Sequence, residues 1–447
     1  MMMKSIYIKE LKHYSKSEIL DVIGGNEKIF NQLMEYAIID KDNDKYQFKY
    51  VGVMIMEESV INCYPKYITT TDNIKDDFKQ VLNVIKKYKK LHDDFSYETG
   101  ELEDISFNLL SLMLFFIEDY YENGIYTNIE NILEINGNGE IDWDRTINDN
   151  FALIKDNKPY YTQLQTKYKI DDLYDYFRLL HEYIITDCSR RLEKSNLLDY
   201  FDLMHVELSD RMIDEFGDLN FILSRIEKEL NVEFNTHKQK LLKSMHAYLS
   251  NKNSFTNENF LTLYGTNSYH VIWEEMCSQV FSNKLDKKLK DLVNPNEKYS
   301  SKLRLIDLIE KPKWVSNYDF DLSARDTYIP DLITFFKGNF IIFDAKYYNL
   351  KFEKDKLAGQ PGIESISKQY FYELAYKEFI EFAGFEGVKN AFLFPTYGLE
   401  IENKGYVELE MLSSLGLENI QVIMLPANEI NELYLKNKKM DISRLNL

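Results

Sequence analysis

Two neighbouring apolar runs in the C-terminal part of the chain place the strongest constraint on its possible folds. They are separated by a short turn, Lys337-Gly338-Asn339, and span Tyr328–Phe336 and Phe340–Tyr347. Runs of this length with glycine between them predict an antiparallel hairpin. Because apolar side chains would lie on both of its faces, the hairpin is expected inside a sheet that is covered on both sides. Charged residues placed there must be paired or bind an ion.

Three charged residues of this hairpin are predicted to share one face. The connection offers two alternative two-residue turns, Lys337-Gly338 and Gly338-Asn339. The first turn puts Asp331 opposite Asp344, and the second puts it opposite Lys346. Side chains alternate along a strand with a period of two, so either register keeps the three together. A three-residue loop would separate them.

This face has the composition of a metal-dependent phosphodiesterase site. Asp331 and Asp344, with the backbone carbonyl of Ala345, form a set of oxygen ligands that suits Mg²⁺ or Mn²⁺. Such an ion stabilises charge on a phosphate and acidifies a water. Lys346 is expected to position that water or to donate to the scissile phosphate. The alternative is a buried salt bridge between Lys346 and one aspartate, without catalysis.

Two predicted helices can complete this site. The helix before the hairpin, Ser268–Phe281, has a clear apolar stripe, and Glu274 and Glu275 flank that stripe on either side. Glu274 is slightly closer to the stripe and is predicted to be catalytic. Glu275 is a supporting candidate, and solvated glutamates are the alternative for both. In the helix after the hairpin, Gln369 and Tyr372 lie one turn apart, where they either contact DNA or a metal-bound water or take part in ordinary helix packing.

The charge of the chain argues against a surface that attracts DNA by itself. There are 54 Lys and Arg and 73 Asp and Glu, so the net charge is −19. Phosphate binding relies on basic residues that displace counterions. DNA affinity is therefore expected either in a local basic cleft or in a partner protein. The sequence also contains no G-x-x-x-x-G-K-[ST], so any nucleotide-driven step must come from another protein.

The cysteines and the hydropathy pattern predict a cytoplasmic protein. The three cysteines are far apart in the sequence and form no C-x-x-C pair, which argues against a zinc site or a disulfide framework. No apolar signal segment opens the chain. The longest apolar run, Leu109–Ile117, is too short to cross a bilayer and is predicted to be a buried helix, so no membrane is expected as a partner.

The pattern along the chain predicts a multi-domain α+β protein in three parts. Residues 1–70 are expected to form a small winged-helix-like or α+β module, with a helix that starts at Ser15-Lys16-Ser17-Glu18 and a second helix at about Glu27 to Tyr36. Residues 71–255 are predicted to be mainly helical. Residues 256–447 alternate between strands and helices, which predicts an α/β core with a mixed sheet.

In that last part, particular elements are expected after the hairpin. They are a helix at about Ser365 to Phe382, strands at Asn390–Pro395 and Ile420–Pro426, and a final helix from Asn428. In the first part, one strand-rich run is expected over Tyr46–Ile55.

The site residues together resemble the PD-(D/E)XK nuclease superfamily. The resemblance rests on Pro330-Asp331 and Asp344-Ala345-Lys346, with a preceding helical Glu and a following helical Gln. Further segments resemble the LlaJI-type restriction endonucleases, a family that is itself similar to McrC, the nuclease subunit of the McrBC system. Those segments are Val51-Gly52-Val53, Tyr64-Pro65-Lys66, Trp143-Asp144-Arg145-Thr146-Ile147, Asp344-Ala345-Lys346-Tyr347-Tyr348 and Lys368-Gln369-Tyr370.

This resemblance implies an activity and a partner. McrC-type subunits cleave double-stranded DNA with an AAA+ GTPase hexamer, the McrB type, which binds the GTP, recognises the DNA and translocates. The McrC-type N-terminal region docks into the partner's ring and stimulates its hydrolysis, and residues 71–255 are taken as a partner-docking region here. The resemblance therefore implies a Mg²⁺-dependent endonuclease subunit of a restriction system for phage defence.

Two other functions remain open at this point. A stand-alone type II endonuclease would cleave with Mg²⁺ alone and need no nucleotide. A non-catalytic adaptor would activate an AAA+ ring and keep the hairpin charges only as a salt bridge.

Overall fold

The computed structural model describes seven stretches of the chain, namely residues 3–56, 59–92, 109–251, 261–293, 302–317, 321–353 and 356–447. They belong to two compact units. The first unit is built mainly from residues 102–264, and the second from residues 5–54, 61–101 and 265–447. The three-part division predicted from the sequence (1–70, 71–255 and 256–447) stays a prediction.

The α-helices of these stretches are α1 (Lys16–Val22), α2 (Glu27–Glu35), α3 (Ile74–His92), α4 (Leu109–Asn123), α5 (Trp143–Asp149), α6 (Tyr176–Lys194), α7 (Leu197–Tyr200), α8 (Leu219–Leu230), α9 (Thr236–Ser250), α10 (Tyr269–Val280), α11 (Ile363–Ala383), α12 (Glu410–Ser413) and α13 (Ala427–Leu435). Short 3-10 helices occur at Ile213–Phe216, Leu289–Asp291, Leu305–Leu308 and Ile442–Leu445.

The strands are β1 (Lys4–Lys9), β2 (His13–Tyr14), β3 (Ile39–Asp42), β4 (Lys45–Phe48), β5 (Val51–Ile55), β6 (Ser59–Tyr64), β7 (Ile129–Ile135), β8 (Glu140–Ile141), β9 (Leu153–Lys155), β10 (Lys158–Tyr160), β11 (Gln165–Asp171), β12 (Thr262–Thr266), β13 (Lys313–Val315), β14 (Asp321–Ser323), β15 (Leu332–Phe336), β16 (Asn339–Ala345), β17 (Lys351–Glu353), β18 (Lys356–Ala358), β19 (Gly387–Thr396), β20 (Glu402–Val407) and β21 (Ile420–Pro426).

A five-stranded mixed sheet organises the second unit. Its strand order is β15-β16-β19-β21-β20. The β15–β16 and β20–β21 pairs are antiparallel, whereas β19 pairs in parallel with both β16 and β21. The parallel β16–β19 pair requires a crossover, which α11 supplies. The prediction of a mixed sheet that contains the hairpin is confirmed.

Helices cover both faces of this sheet around the hairpin. On one face, Phe340 and Ile342 of β16 pack in a buried cluster with Tyr376 and Phe379 of α11. On the other face, α10 lies near β16, and its Trp273 Nε1 donates a hydrogen bond to the carbonyl oxygen of Leu393 at 3.1 Å. A strand that is buried on both sides needs apolar residues, and β16 has them from Phe340 to Phe343. Charged residues after Phe343 therefore lie at the edge of the hydrophobic core.

Two helices of the N-terminal part begin as the sequence predicts. Ser15 is the N-cap of α1 and forms a capping box with Glu18, in which each side chain satisfies a backbone N–H of the other residue. Asn26 caps α2 by accepting from two backbone N–H groups. In the same part, β1, β6 and β5 are neighbours in one sheet. The strand-rich run predicted over Tyr46–Ile55 is confirmed, and it contains two strands, β4 and β5.

The first unit contains more strand than the sequence indicated. Helices α4, α6, α8 and α9 pack together in it, as expected for a mainly helical region. Between α4 and α6, however, β7, β11 and β8 form a three-stranded sheet, and β9 and β10 form a hairpin. No described helix is long and apolar enough to cross a bilayer. The three cysteines are free and buried, in agreement with the prediction of no disulfides.

Candidate functional site

A two-residue turn sets the register of the site hairpin. Leu332 pairs with Phe343 and Phe336 pairs with Asn339, so the turn is Lys337-Gly338, the first of the two predicted alternatives. Both turn residues have positive φ, 46° and 75°, the combination of a type I′ turn. The strands are shorter than predicted, because β15 begins one residue after Asp331. That register, continued by one pair, places Asp331 opposite Asp344.

The two aspartates and the lysine lie together at the end of β16. Lys346 Nζ is 2.8 Å from Asp344 Oδ2. The backbone N–H of Ala345 donates to Asp331 Oδ2 at 2.8 Å. Asp344 is only 4% exposed, whereas Lys346 is half-buried. The structure therefore brings Asp331, Asp344 and Lys346 to one place, as the sequence predicted.

Burial and a neighbouring carboxylate favour the protonated form of Asp331. Desolvation, followed by the charge of Asp344 and a hydrogen bond with it, raises the pKa of Asp331 to about 9. A charged carboxylate this close disfavours the ionised form of Asp331. A cation that binds both groups would relieve this repulsion.

The carboxylates of the site also raise the pKa of Lys346. Burial alone lowers its pKa, but the carboxylates of Asp344, Asp331 and Glu274 together raise it above the ordinary lysine value. A lysine in this state is a stable cation and a hydrogen-bond donor. It can neutralise a phosphate oxygen, but it cannot serve as a general base at neutral pH.

The structure distinguishes Glu274 from Glu275, the two helical glutamates that the sequence left as candidate site residues. Burial raises the pKa of Glu274, while the charge of Lys346 lowers it and that of Asp344 raises it, so Glu274 lies within electrostatic reach of the site. Glu275 instead accepts a hydrogen bond from Gln279 Nε2 at 2.8 Å on the same helix. Its charge acts on Lys87, away from the aspartates.

Gln369 and Tyr372 are both in contact with the hairpin backbone. Gln369 is fully buried, and its Nε2 donates to the carbonyl oxygen of Ile342 at 3.2 Å. The hydroxyl of Tyr372 donates to the carbonyl oxygen of Ile329 at 3.0 Å. Burial, then the charges of Asp344 and Asp331, raise the pKa of this tyrosine. Both side chains therefore hold the strands that carry the aspartates.

The sequence did not reveal Asn283, whose side-chain amide hydrogen-bonds to the backbone of Asp331 and of Ile333. Asn283 Nδ2 donates to the carbonyl oxygen of Asp331 at 3.2 Å, and its Oδ1 accepts from the N–H of Ile333 at 3.1 Å. One amide thus holds the backbone on both sides of Leu332, at the start of β15. The residue lies in a turn after α10, where no periodic pattern marks it.

Few side chains at this site could act as ligands of a metal ion. Within the described stretches, no group of three or more His, Cys, Asp or Glu side chains is arranged to hold a metal ion. The predicted set, two aspartates and the Ala345 carbonyl, has only two side-chain members. Sets of this kind are typical of Mg²⁺, which keeps several of its waters when it binds to proteins.

Comparisons with known proteins assign the chain to a family. The family model described as LlaJI restriction endonuclease matches residues 50–428. The chain belongs to this family. A relative of this LlaJI-family chain is the type II restriction enzyme BsuMI component YdjA of Bacillus subtilis (strain 168), which is 29% identical over 449 residues, with 97% of this chain and 90% of YdjA covered. Membership places the chain among restriction endonucleases, which are DNA nucleases.

Two solved structures show a weak likeness to this LlaJI-family chain. A chain of the half-complex of Thermococcus gammatolerans McrB AAA+ hexamers with bound McrC matches 97% of this chain and all of its own length, with 10% identity and a TM-score of 0.38. A chain of the McrBC complex from the same organism matches 55% of this chain and 79% of its own, with 12% identity and a TM-score of 0.24. Scores this low do not establish a shared fold.

Proposed function

We propose that this LlaJI-family chain is the metal-dependent endonuclease subunit of a restriction system for phage defence. In this proposal it cleaves double-stranded DNA and works with a McrB-like AAA+ GTPase hexamer, which binds the GTP. The observation that carries the nuclease function is the meeting of Asp331, Asp344 and Lys346 at the end of a buried strand. An acidic pair beside a lysine is costly to bury, so a functional reason for it is expected.

The residues present fit a hard divalent cation such as Mg²⁺ or Mn²⁺. Asp331 and Asp344 would hold it together with the carbonyl of Ala345, and all of these donors are oxygens. The raised pKa of Asp331 indicates repulsion between carboxylates that a cation would remove. When bound, the ion would polarise the scissile phosphate and acidify a water.

The chain's own side chains supply orientation and charge. In the proposal, Lys346 donates to the scissile phosphate or to the attacking water, held in place by its contact with Asp344. Glu274 adds a third carboxylate from α10. Gln369, Tyr372 and Asn283 restrain the backbone of the two strands, so that the aspartates keep their separation.

The order of elements around the site supports the PD-(D/E)XK assignment. An antiparallel hairpin carries the acid–acid–lysine set, α11 then crosses the sheet, and β19 returns in parallel beside the catalytic strand. The helical glutamate precedes this set in α10, and the helical glutamine follows it in α11.

Partner dependence rests on three observations. The relative YdjA is a component of a restriction enzyme. The sequence has no P-loop and a net charge of −19, so DNA recruitment and nucleotide hydrolysis are assigned to another protein. The hairpin β9–β10 in the first unit exposes apolar side chains, a feature typical of interaction sites. The most exposed of them are Leu153, Ile154 and Tyr160, and Phe151, just before β9, is exposed as well.

Plasmid cleavage by the full chain, with and without a McrB-like AAA+ GTPase, tests this proposal. Cleavage is expected to need Mg²⁺, the GTPase and GTP together. Asp344→Asn should reduce the rate by about 100-fold or more, the scale of losing one electrostatic stabiliser of a transition state. It should leave partner binding unchanged. Lys337→Gln, at the far end of the same hairpin, is the control and should cleave normally.

The rival functions are separate outcomes of this experiment. Undiminished cleavage by Asp344→Asn would refute the site. Cleavage with Mg²⁺ alone, unaffected by GTP or the partner, would identify a stand-alone type II enzyme. No cleavage under any condition, with GTPase stimulation intact and no Mg²⁺ affinity by calorimetry, would identify a non-catalytic adaptor.

A further inference from the structure

Lys66, from the N-terminal part of the chain, lies beside the end of the catalytic strand. It follows β6, yet its Nζ is 4.1 Å from the ring centroid of Tyr347 and 6.0 Å from that of Tyr348. These two tyrosines directly follow Lys346 in the sequence. The second unit therefore places Lys66 against the two residues that follow Lys346.

A buried cluster holds Lys66 in this position. Glu10 Oε2 accepts the backbone N–H of Lys66 at 3.0 Å and also the hydroxyl of Tyr347. The rings of Tyr67 and Tyr269 pack against Tyr347 at centroid distances of 6.3 and 5.2 Å. These buried side chains hold Lys66 in one position relative to β16. The ammonium itself remains half-buried at the surface.

Further basic side chains extend this cluster. After burial, the positive charges of Lys66 and Lys346 are the causes that lower the pKa of His270, an exposed residue on the first turn of α10. In the same way Lys351 and Lys12 lower the pKa of Lys9, whose Nζ donates to the carbonyl oxygen of Ile68 at 2.6 Å. We call Lys9, Lys12, Lys66, Lys346 and Lys351 the basic strip.

The basic strip stands out against the charge of the whole chain. A net charge of −19 repels DNA at long range, so any direct contact with the phosphate backbone needs a local concentration of cations. The strip supplies one, and it includes Lys346, which the proposed mechanism places on the scissile phosphate.

Charge balance for Glu10 is the competing explanation for Lys66. Burial raises the pKa of Glu10, and the charge of Lys66 is the largest influence that lowers it again. That role needs one cation beside one carboxylate. It does not account for Lys9 and Lys351, of which the second acts on the first through its positive charge.

We propose that Lys66 binds a backbone phosphate of the DNA next to the scissile one, and that the basic strip is the path of the DNA strand through the nuclease site. This inference rests on the proposed nuclease function. It gives the N-terminal part of the chain a direct role in holding DNA, through contacts that carry no sequence information.

The salt dependence of DNA binding tests the inference. The full-length Asp344→Asn chain is titrated with a fluorescent 30-base-pair duplex in Ca²⁺, and the logarithm of the association constant is plotted against that of the salt concentration from 50 to 200 mM. Removing one phosphate contact lowers the slope by about 0.9. Lys66→Gln should show this loss, and Lys66→Arg should restore the slope because it keeps the charge.

Controls separate this contact from a structural role and from the nuclease proposal. Lys337→Gln removes an equal charge about 20 Å away along β16, given about 3.3 Å per residue, and should not change the slope. Glu10→Gln removes the buried carboxylate and should leave the slope unchanged. An unchanged slope in Lys66→Gln, or no binding by the chain at 50 mM salt, would overturn the inference. Asp344-dependent plasmid cleavage is measured separately, so the nuclease function can hold while this inference fails.

Discussion

At Asp331 and Asp344, a proton and a cation compete for the same oxygens. In the absence of a cation, burial and the charge of Asp344 keep a proton on Asp331, whose pKa is raised to about 9. A divalent ion must displace that proton, so its affinity is expected to increase with pH. Metal binding at this site should release a proton to the buffer.

The same pKa shift predicts how stability depends on pH without metal. An unfolded aspartate has a pKa of about 3.9, so between about pH 4 and 9 the folded state holds a proton that the unfolded state has lost. Stability from this residue is therefore lost as pH rises through that window. Asp331→Asn lacks the titrating group. Its melting temperature relative to that of the unsubstituted chain should rise steadily between pH 5 and 8, because each pH unit in this window costs the unsubstituted chain up to about 1.4 kcal/mol.

Calorimetry in EDTA measures this difference, and added Mg²⁺ should diminish it. A difference in melting temperature that stays constant with pH would show that Asp331 ionises normally in the folded protein.

Glu274 and Glu275 form a matched pair of neighbours for a second prediction. Glu274→Gln should slow plasmid cleavage by about tenfold or more, because it removes a carboxylate within reach of Asp344 and Lys346. Glu275→Gln should cleave at the normal rate, since Glu275 bonds to Gln279 instead. Initial rates at saturating Mg²⁺ decide this, and equal effects of the two substitutions would exclude a specific role for Glu274.

At the scale of elements, the hairpin turn is the feature on which the site depends. Gly338 has a φ of 75°, a conformation that costs an ordinary side chain about 1–2 kcal/mol. Gly338→Ala should destabilise the second unit by about this amount in urea unfolding. Gly398→Ala is the control, because Gly398 has no positive φ and a side chain there would make only ordinary contacts. Equal destabilisation by both would show that the turn is not strained.

The elements that the sequence predicted well are those with a strong local pattern. Helices α10 and α11 and strand β21 agree with their predicted bounds to within about two residues, and α4 is a buried helix as expected. Each has an apolar stripe or run that needs no distant partner to be recognised. Strand β20 was missed because its exposed residues, Glu402–Val407, have no apolar alternation and pair only at the sheet edge.

The candidate site was predictable only in part, because local sequence patterns reveal only some of its residues. Alternation within a hairpin brought Asp331, Asp344 and Lys346 together, but it could not choose between two turns that differ by one residue. That choice depends on which residues adopt positive φ. Asn283 and Lys66 were beyond reach, because they meet β16 through tertiary contacts that leave no periodic trace in the sequence.

At the scale of the whole molecule, partner binding is expected to use a surface remote in sequence from the aspartates. The hairpin β9–β10 belongs to the first unit, and the proposed nuclease site belongs to the second. The double substitution Leu153→Asp and Ile154→Asp should abolish stimulation of the partner's GTPase. It should leave the melting temperature unchanged, because both side chains are more than half exposed.

GTP hydrolysis by the partner, measured with increasing amounts of each variant, checks this prediction. Leu399→Asp is the matched control, since Leu399 is 90% exposed but lies in the second unit. Normal stimulation by the double variant would assign partner docking to another surface.

The two-residue turn between β15 and β16 also makes the site sensitive to the parity of loop length. Insertion or deletion of a single residue between Phe336 and Asn339 would turn every side chain of one strand to the opposite face. Asp331 would then point away from Asp344, although no residue of the site had changed. A change of two residues would preserve the facing pair. Among relatives of this chain, length variation at this turn is therefore expected in steps of two wherever cleavage is retained.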